Sequence, residues 1–228
     1  MIKVKICGLT NLEDAQVAVE AGANLLGFIF YEPSPRYVQP ETVREIVTTL
    51  RGNHSTTPYA PRTTNPPLFV GVFVDAPQDR VNQIFDFCGL DAVQLHGAES
   101  PQFVAHFQGR AFKVLRPQSA VEAGELVQKY QTTAVAVQSP QLPAFFLDAY
   151  HPTLYGGTGH VTDWTMAATL ARQYPIMLAG SLNPTNVAEA IEAVHPWGVD
   201  VSSGVEIEKG KKDHRKVWEF IERAKSKT

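Results

Sequence analysis

The sequence predicts an α/β protein whose strands close into a (β/α)8 barrel, and three observations carry that reading. Eight short apolar segments recur along the 228 residues, each followed by a stretch suited to a helix. Strands that alternate with helices build parallel βαβ units. Eight such units in a chain of this length close on themselves. Finally, the polar residues of the strands gather at their C-terminal ends, where a barrel of this kind carries its functional face. An open, doubly wound sheet is the runner-up, but no G-x-G-x-x-G follows the first strand.

The elements run as follows. Ile2 to Ile6 is the first strand, with Ile2, Val4 and Ile6 on one face and Lys3, Lys5 and Cys7 on the other. Two lysines and a cysteine on one face suit a barrel interior opening onto a polar site. Gly8 turns the chain, Asn11 caps a helix with Asp14 three residues on, and Gly22 stops it. Leu25 to Phe30 is mostly apolar, as expected of a strand buried on both faces. A proline-rich loop with Arg36 leads to Pro40 and a helix over about Glu41 to Leu50. Residues 52–67 hold Pro58, Pro61, Pro66 and Pro67 and almost no apolar periodicity, which reads as an exposed insertion. The strand–helix pattern resumes after it, so residues 1–228 read as one barrel domain.

Leu68 to Asp75 is the third strand, and a helix opens at Pro77 and ends before Gly89. Asp91 to His96 is the fourth strand, with Gln94 and His96 sharing a face, followed by a helix over Pro101 to Phe107. Ala111 to Arg116 is the fifth strand and Val121 to Tyr130 its helix; in 131–143, Ala134 to Val137 reads as a short strand or an extension of the helix region, and a surface excursion is the preferred reading. Ala144 to Asp148 is the sixth strand, with a helix from Trp164 to Gln173. Pro175 to Ala179 is the seventh strand, with Asn183 as cap and Pro184 at the first helical position. Gly198 to Val201 is the eighth strand, and Asp213 to Lys225 the last helix, with Val217, Phe220, Ile221 and Ala224 on its buried side.

A net charge of −3 leaves no basic footprint, so nucleic acid is not an expected partner. Cys7 and Cys88 lie at no metal-ligand spacing, so no metal is expected and a reducing compartment is. No apolar run approaches a membrane span, and the N-terminus alternates like a strand rather than a signal peptide. A cytoplasmic protein without membrane contact is the expectation.

At the strand ends stand Cys7, Arg36, His96, Arg116, Asp148, Gly180, Asp200 and Ser202. Glycine- and serine-rich loops, Gly180-Ser181 and Ser202-Ser203-Gly204, sit where such barrels bind phosphate. Gly156, Gly157 and Gly159 form a third turn of this kind, just past Asp148. Together they imply a phosphorylated small molecule. An ammonium beside Cys7 favours thiolate and a usable base; the plainer reading is a small buried hydrophobe. Asp148 faces the same mouth as a proton donor or as a turn carboxylate, and the two would form an acid–base pair. Arg36 reads as an anion clamp or a surface residue, and His96 as a site residue or a core histidine. Asp200 reads as an acceptor for a substrate amine, or as the partner of Lys3 or Lys5.

Several stretches in order carry a resemblance along almost the whole chain. They are Lys5-Ile6-Cys7-Gly8-Leu9-Thr10, Gly27-Phe28-Ile29-Phe30 with Ser34-Pro35-Arg36, and Gln94-Leu95-His96-Gly97. Leu147-Asp148, Gly156-Gly157-Thr158-Gly159 with Asp163-Trp164, and Ala179-Gly180 with Leu182-Asn183-Pro184 continue it, and Val199 to Glu206 ends it. In these the chain resembles the phosphoribosylanthranilate isomerases of tryptophan biosynthesis. The resemblance implies an Amadori rearrangement of N-(5-phosphoribosyl)anthranilate with no cofactor. It implies Asp148 as general acid, Cys7 as general base and Arg36 at the anthranilate. It also implies Asp200 near the anthranilate amine, and glycine-rich loops holding phosphate. Ser181 departs from the family's usual second glycine. Another phosphosugar barrel enzyme is disfavoured by the strand-one cysteine, and a non-catalytic phospho-ligand-binding barrel by the presence of both Cys7 and Asp148. A monomer is the default, with a homodimer as the alternative.

Overall fold

The computed structural model describes residues 1–52, 66–136, 141–148 and 163–226. Most of the expected insertion, 53–65, lies outside them. Eight parallel strands close in chain order into a barrel, which is the TIM-barrel architecture. They are β1 (Lys3–Cys7), β2 (Leu25–Ile29), β3 (Leu68–Phe73), β4 (Ala92–Leu95), β5 (Ala111–Leu115), β6 (Phe145–Leu147), β7 (Ile176–Leu178) and β8 (Gly198–Val201). The helices between and after them are α1 (Leu12–Ala21), α2 (Pro40–Gly52), α3 (Gln78–Cys88) and α4 (Pro101–His106). The second half of the chain adds α5 (Ala120–Ala136), α6 (Trp164–Ala171), α7 (Val187–Val194) and α8 (His214–Lys225).

The two-residue period of a strand divides the core into two layers. Val4, Ile6, Leu26, Phe28, Val93 and Leu95 join the helices' apolar residues in the larger cluster. Leu25, Val70, Ala92, Phe112, Phe146 and Met177 form a separate cluster inside the barrel. Register fixes who meets whom there. Lys5 lies opposite both Leu25 and Asp200, Gln94 opposite Val72 and Phe112, and Phe146 opposite Met177. Each fully buried aliphatic or aromatic side chain stabilises the fold by about 1.5–3 kcal/mol.

Local signals set the ends of α1. The Asn11 side chain accepts from the Asp14 N–H at 2.8 Å, worth about 1 kcal/mol as a cap. Gly22 adopts φ 96, and its N–H turns back to the carbonyls of Ala18 and Val19.

Two readings are corrected, and one small element is added. The fifth helix continues to Ala136 rather than giving way to a surface excursion, because Ala123, Val127, Tyr130 and Ala134 extend one buried stripe. Leu142 and Ala144, beyond the undescribed residues 137–140, are buried as well. In the seventh unit, Asn183 and Pro184 open a turn and α7 proper starts at Val187. Asn183 still caps that turn: its Oδ1 accepts from the Thr185 N–H at 2.8 Å, while Asn186 Oδ1 accepts from the Asn183 N–H at 2.8 Å. After β8, a single 3-10 turn (Ser203–Val205) leads into a small hairpin of β9 (Glu206–Glu208) and β10 (Lys211–Lys212). Strands this short carry no readable alternation.

Candidate active site

The first strand brings two unlike polar groups into the barrel. Lys5 is fully buried on the interior face, and its Nζ donates to Asp200 Oδ1 at 2.8 Å. Cys7, two residues on, reaches the barrel mouth on the same face. Gly27 stands opposite Cys7 and makes room for both: a Cβ there would lie 2.8 Å from Cys7 Sγ and 2.9 Å from Lys5 Nζ. Of the two sequence readings of Asp200, the ion pair with Lys5 is the one observed.

Burial works against the Lys5 ammonium, but Asp200 and Cys7 outweigh it, and the Lys5 pKa sits above its ordinary value. Burial pushes the Cys7 thiol up, the Lys5 ammonium opposes this, and Asp200 adds to the rise. The net direction is upward, which corrects the expectation that nearby lysines hold Cys7 as a thiolate. Lys5 is already engaged by a carboxylate. Asp200 is itself raised, by burial first and by Asp148 as well, with Lys5 opposing.

Across the mouth, Asp148 continues the β6 ladder, its N–H donating to Leu115 O at 3.1 Å. Its Oδ2 lies 3.4 Å from His96 Nε2. His96 Nδ1 in turn lies 3.4 Å from Gln94 Nε2. His96 thus stands between Gln94 and Asp148, on the wall of the mouth. Lys113 holds the chain on both sides of His96, donating to Leu95 O at 3.0 Å and Gly97 O at 2.7 Å. That outward-facing lysine also pairs with buried Glu99 at 3.3 Å.

Arg36 comes from the loop after β2 and is buried, not a surface residue. Its Nε and Nη2 donate to the two oxygens of Glu206 at 2.7 Å each, a planar bidentate pair. Lys212 Nζ donates to Glu206 Oε1 at 3.0 Å and to Ser202 O at 3.1 Å. The Lys212 N–H donates to Asp14 Oδ2 at 2.9 Å, tying the hairpin to α1. Burial alone would raise the Glu206 carboxyl, but Arg36 and Lys212 outweigh it and hold it below its ordinary value.

One cavity of about 780 Å³, its open mouth included, collects these groups. Cys7, Arg36, His96, Asp148 and Asp200 all line it. So do Gly180 and the run Ser202, Ser203 and Gly204 from the loops after β7 and β8. Gly180 takes φ 92 and Ser181 φ 56, so a serine occupies the left-handed conformation that a glycine adopts without strain. The buried Ser202 Oγ has no hydrogen-bond partner among the described residues. Arg116, one residue past β5 and half-buried, does not line this cavity. Gly156, Gly157 and Gly159 lie outside the described residues.

Comparison with known proteins decides what this cavity belongs to. Residues 4–223 match the family model described as N-(5'-phosphoribosyl)anthranilate (PRA) isomerase. The chain belongs to the N-(5'-phosphoribosyl)anthranilate isomerase family. It is an isomerase of tryptophan biosynthesis. It is 46% identical to the N-(5'-phosphoribosyl)anthranilate isomerase of Pelobacter propionicus, over 99% of this chain and 96% of the relative. It superposes on the phosphoribosyl anthranilate isomerase of Thermotoga maritima with a TM-score of 0.81 at 35% identity, over 99% of this chain and 100% of that one. Another solved isomerase holds reduced 1-(o-carboxyphenylamino)-1-deoxyribulose 5-phosphate; it is 33% identical, with a TM-score of 0.77, over 99% of this chain and 100% of that one. Among the described residues of this isomerase, no helix is long and apolar enough to cross a membrane.

Sequence reasoning gave no role to Glu206, Lys212, Gln94 or Lys113. A carboxylate soon after the last strand and a Gly-Lys-Lys turn were visible, but nothing local says that Glu206 reaches Arg36. The position of Lys5 beside Cys7 was legible; its engagement by Asp200 was only one of two readings.

Proposed function

We propose that this isomerase rearranges N-(5-phosphoribosyl)anthranilate to 1-(2-carboxyphenylamino)-1-deoxyribulose 5-phosphate with Asp148 as general acid and Cys7 as general base. Asp148 protonates the furanose ring oxygen, and the ring opens as the substrate nitrogen's lone pair forms the imine. Cys7 removes the proton from C2′, giving an enolamine that relaxes to the ketone. The substrate's own nitrogen delocalises the charge, so the chemistry needs only one proton delivered and one removed.

The observation that carries this reading is the shared cavity. Cys7 and Asp148 reach it from strands three places apart around the ring. A bound sugar between them would meet an acid on one side and a base on the other. His96, 3.4 Å from Asp148, lines the same cavity and contributes to substrate binding. Arg36 is the clamp for the anthranilate carboxylate, and Asp200 accepts from its amine. Gly180, Ser202, Ser203 and Gly204 hold the phosphate. Arg116, which does not line the cavity, is not assigned to substrate binding. Residues 1–228 act as one barrel domain: the ring closes by pairing β1 with β8, from opposite ends of the chain. We read the working unit as a cytoplasmic monomer, although a relative from Thermotoga maritima is described as dimeric.

The test follows the loss of freshly made phosphoribosylanthranilate fluorescence in wild type, Cys7→Ser and Asp148→Asn. Fast turnover in wild type, with each variant losing about 100-fold or more, is expected of an acid–base pair. Turnover surviving in both variants overturns these two roles. No turnover in a folded wild type that binds the reduced product analogue overturns catalysis altogether.

A further inference from the structure

The raised Cys7 thiol poses a problem for a base, and the groups around it suggest how the problem is met. Cys7 faces Lys5 on its own strand, Asp200 on β8 and Lys212 on β10. Asp148 on β6 faces Asp200, and Arg36 and His96 line the same cavity. Lys5 and Lys212 both act on Cys7 and Asp200, but the Lys212 Nζ donates to Ser202 O and Glu206, whereas the Lys5 Nζ donates to Asp200 itself. Gly27 has no side chain where Cys7 Sγ and Lys5 Nζ crowd the same point, each within 3 Å of the position a Cβ would take. The other contact of that ammonium, Asp200 at 2.8 Å, also lines the substrate cavity, and Lys5 has no exposed surface through which water could replace either partner.

We propose that Lys5 is a positioning residue for Cys7, its single ammonium shared between Cys7 and Asp200 so that the two compete for it. This rests on Cys7 being the base. In the free protein the carboxylate holds the ammonium, and Cys7 stays a neutral thiol. When a substrate amine donates to Asp200, that carboxylate leans less on Lys5 and the ammonium serves the sulfur. The thiol then gives up its proton to solvent water at the open mouth, the S–H bond breaking and the electron pair staying on sulfur beside Lys5. Cys7 thus becomes a base only when a substrate is seated, and an empty site keeps its nucleophile protected from oxidation and alkylation.

The competition gives opposite signs for two substitutions. Removing the ammonium (Lys5→Met) raises the Cys7 pKa, whereas removing the competing carboxylate (Asp200→Asn) lowers it. The readout is alkylation of Cys7 by iodoacetamide across pH 6–10, quantified on the Cys7 peptide by mass spectrometry. Buried Cys88, whose thiol is pushed up to about 11, is the internal reference. At a pH below the pKa, lowering a thiol's pKa by about one raises its thiolate fraction about tenfold. Asp200→Asn is expected to speed Cys7 alkylation at pH 7 by about tenfold, and Lys5→Met to slow it by at least as much, with Cys88 unchanged. Adding the reduced product analogue to wild type at pH 7 is expected to move the Cys7 absorbance near 240 nm toward thiolate. A folded Asp200→Asn whose Cys7 profile matches wild type overturns the proposal, even if Lys5→Met does not fold. Changes of the same sign in both variants overturn it too. Failure of the base assignment shows elsewhere, as turnover surviving in Cys7→Ser, so the two failures are distinguishable.

Discussion

Replacing Glu206 with glutamine tests how the hairpin after β8 serves the site. The side chain keeps its size and one acceptor oxygen but loses its charge. In the folded protein that charge faces two cations, Arg36 through two 2.7 Å bonds and Lys212 through one of 3.0 Å. The side chains of Glu206 and Lys212 are 6% and 0% exposed, so water cannot replace the lost counter-charge. Removing one partner of a buried pair costs about 3–5 kcal/mol, because the charges left behind stay desolvated. At about 2–4 °C per kcal/mol for a chain of this size, the melting temperature is expected to fall by roughly 6–20 °C. Arg36 loses its fixed posture, so KM is expected to rise about tenfold while kcat changes less than about threefold, the mark of lost ground-state binding. pH supplies a second reading. A carboxylate held below its ordinary 4.5 contributes stability that is present above that value and is lost as pH falls through the lower, folded-state value. Thermal melts of wild type should therefore lose stability below about pH 4.5 that Glu206→Gln lacks throughout. A variant with an unchanged melting temperature and an unchanged KM would refute the account of Arg36 as held by Glu206.

Three further substitutions follow from single contacts. Gly27→Ala puts a methyl 2.8 Å from Cys7 Sγ and 2.9 Å from a lysine pinned by Asp200, so neither neighbour moves freely. Overpacking of about 1–3 kcal/mol is expected, seen as a lower melting temperature together with a fall in kcat. Lys113→Met removes the donor that holds the carbonyls flanking His96 and strands the buried Glu99. It is expected to cost about 3–5 kcal/mol in denaturant unfolding, and to lower kcat/KM because the chain that carries His96 into the cavity is no longer held. Gly22→Ala forces a side chain onto φ 96. A loss of about 1–2 kcal/mol with kcat unchanged is expected, since this turn lies at the end of the barrel away from the mouth.

How far the site was legible depended on how far apart its parts lie in the chain. Cys7, Asp148, Arg36, Asp200 and the loops after β7 and β8 stand at strand ends, and a strand's end can be read from a few consecutive residues. Arg116 stands at such an end as well, yet does not line the cavity; position along a strand says nothing of the direction its long side chain takes. The short strands β9 and β10, which bring Glu206 to Arg36, offered neither alternation nor length. The fifth helix ran past its expected end because Ala134 extends a stripe that polar neighbours interrupt in the sequence.

The sequence alone determined the order of strands and helices, their caps at Asn11 and Gly22, and the gathering of polar residues at one end of the sheet. Those are products of local periodicity and backbone preference, each contained within a few residues. Only the closed ring decided that Lys5 meets Asp200, 195 residues away, and that Arg36 meets Glu206, 170 residues away. Only it decided that the Cys7 thiol is raised rather than lowered. An ion pair depends on register across the barrel, and a pKa depends on how completely water is excluded; both are set when distant segments pack, not by the residues beside them in the chain.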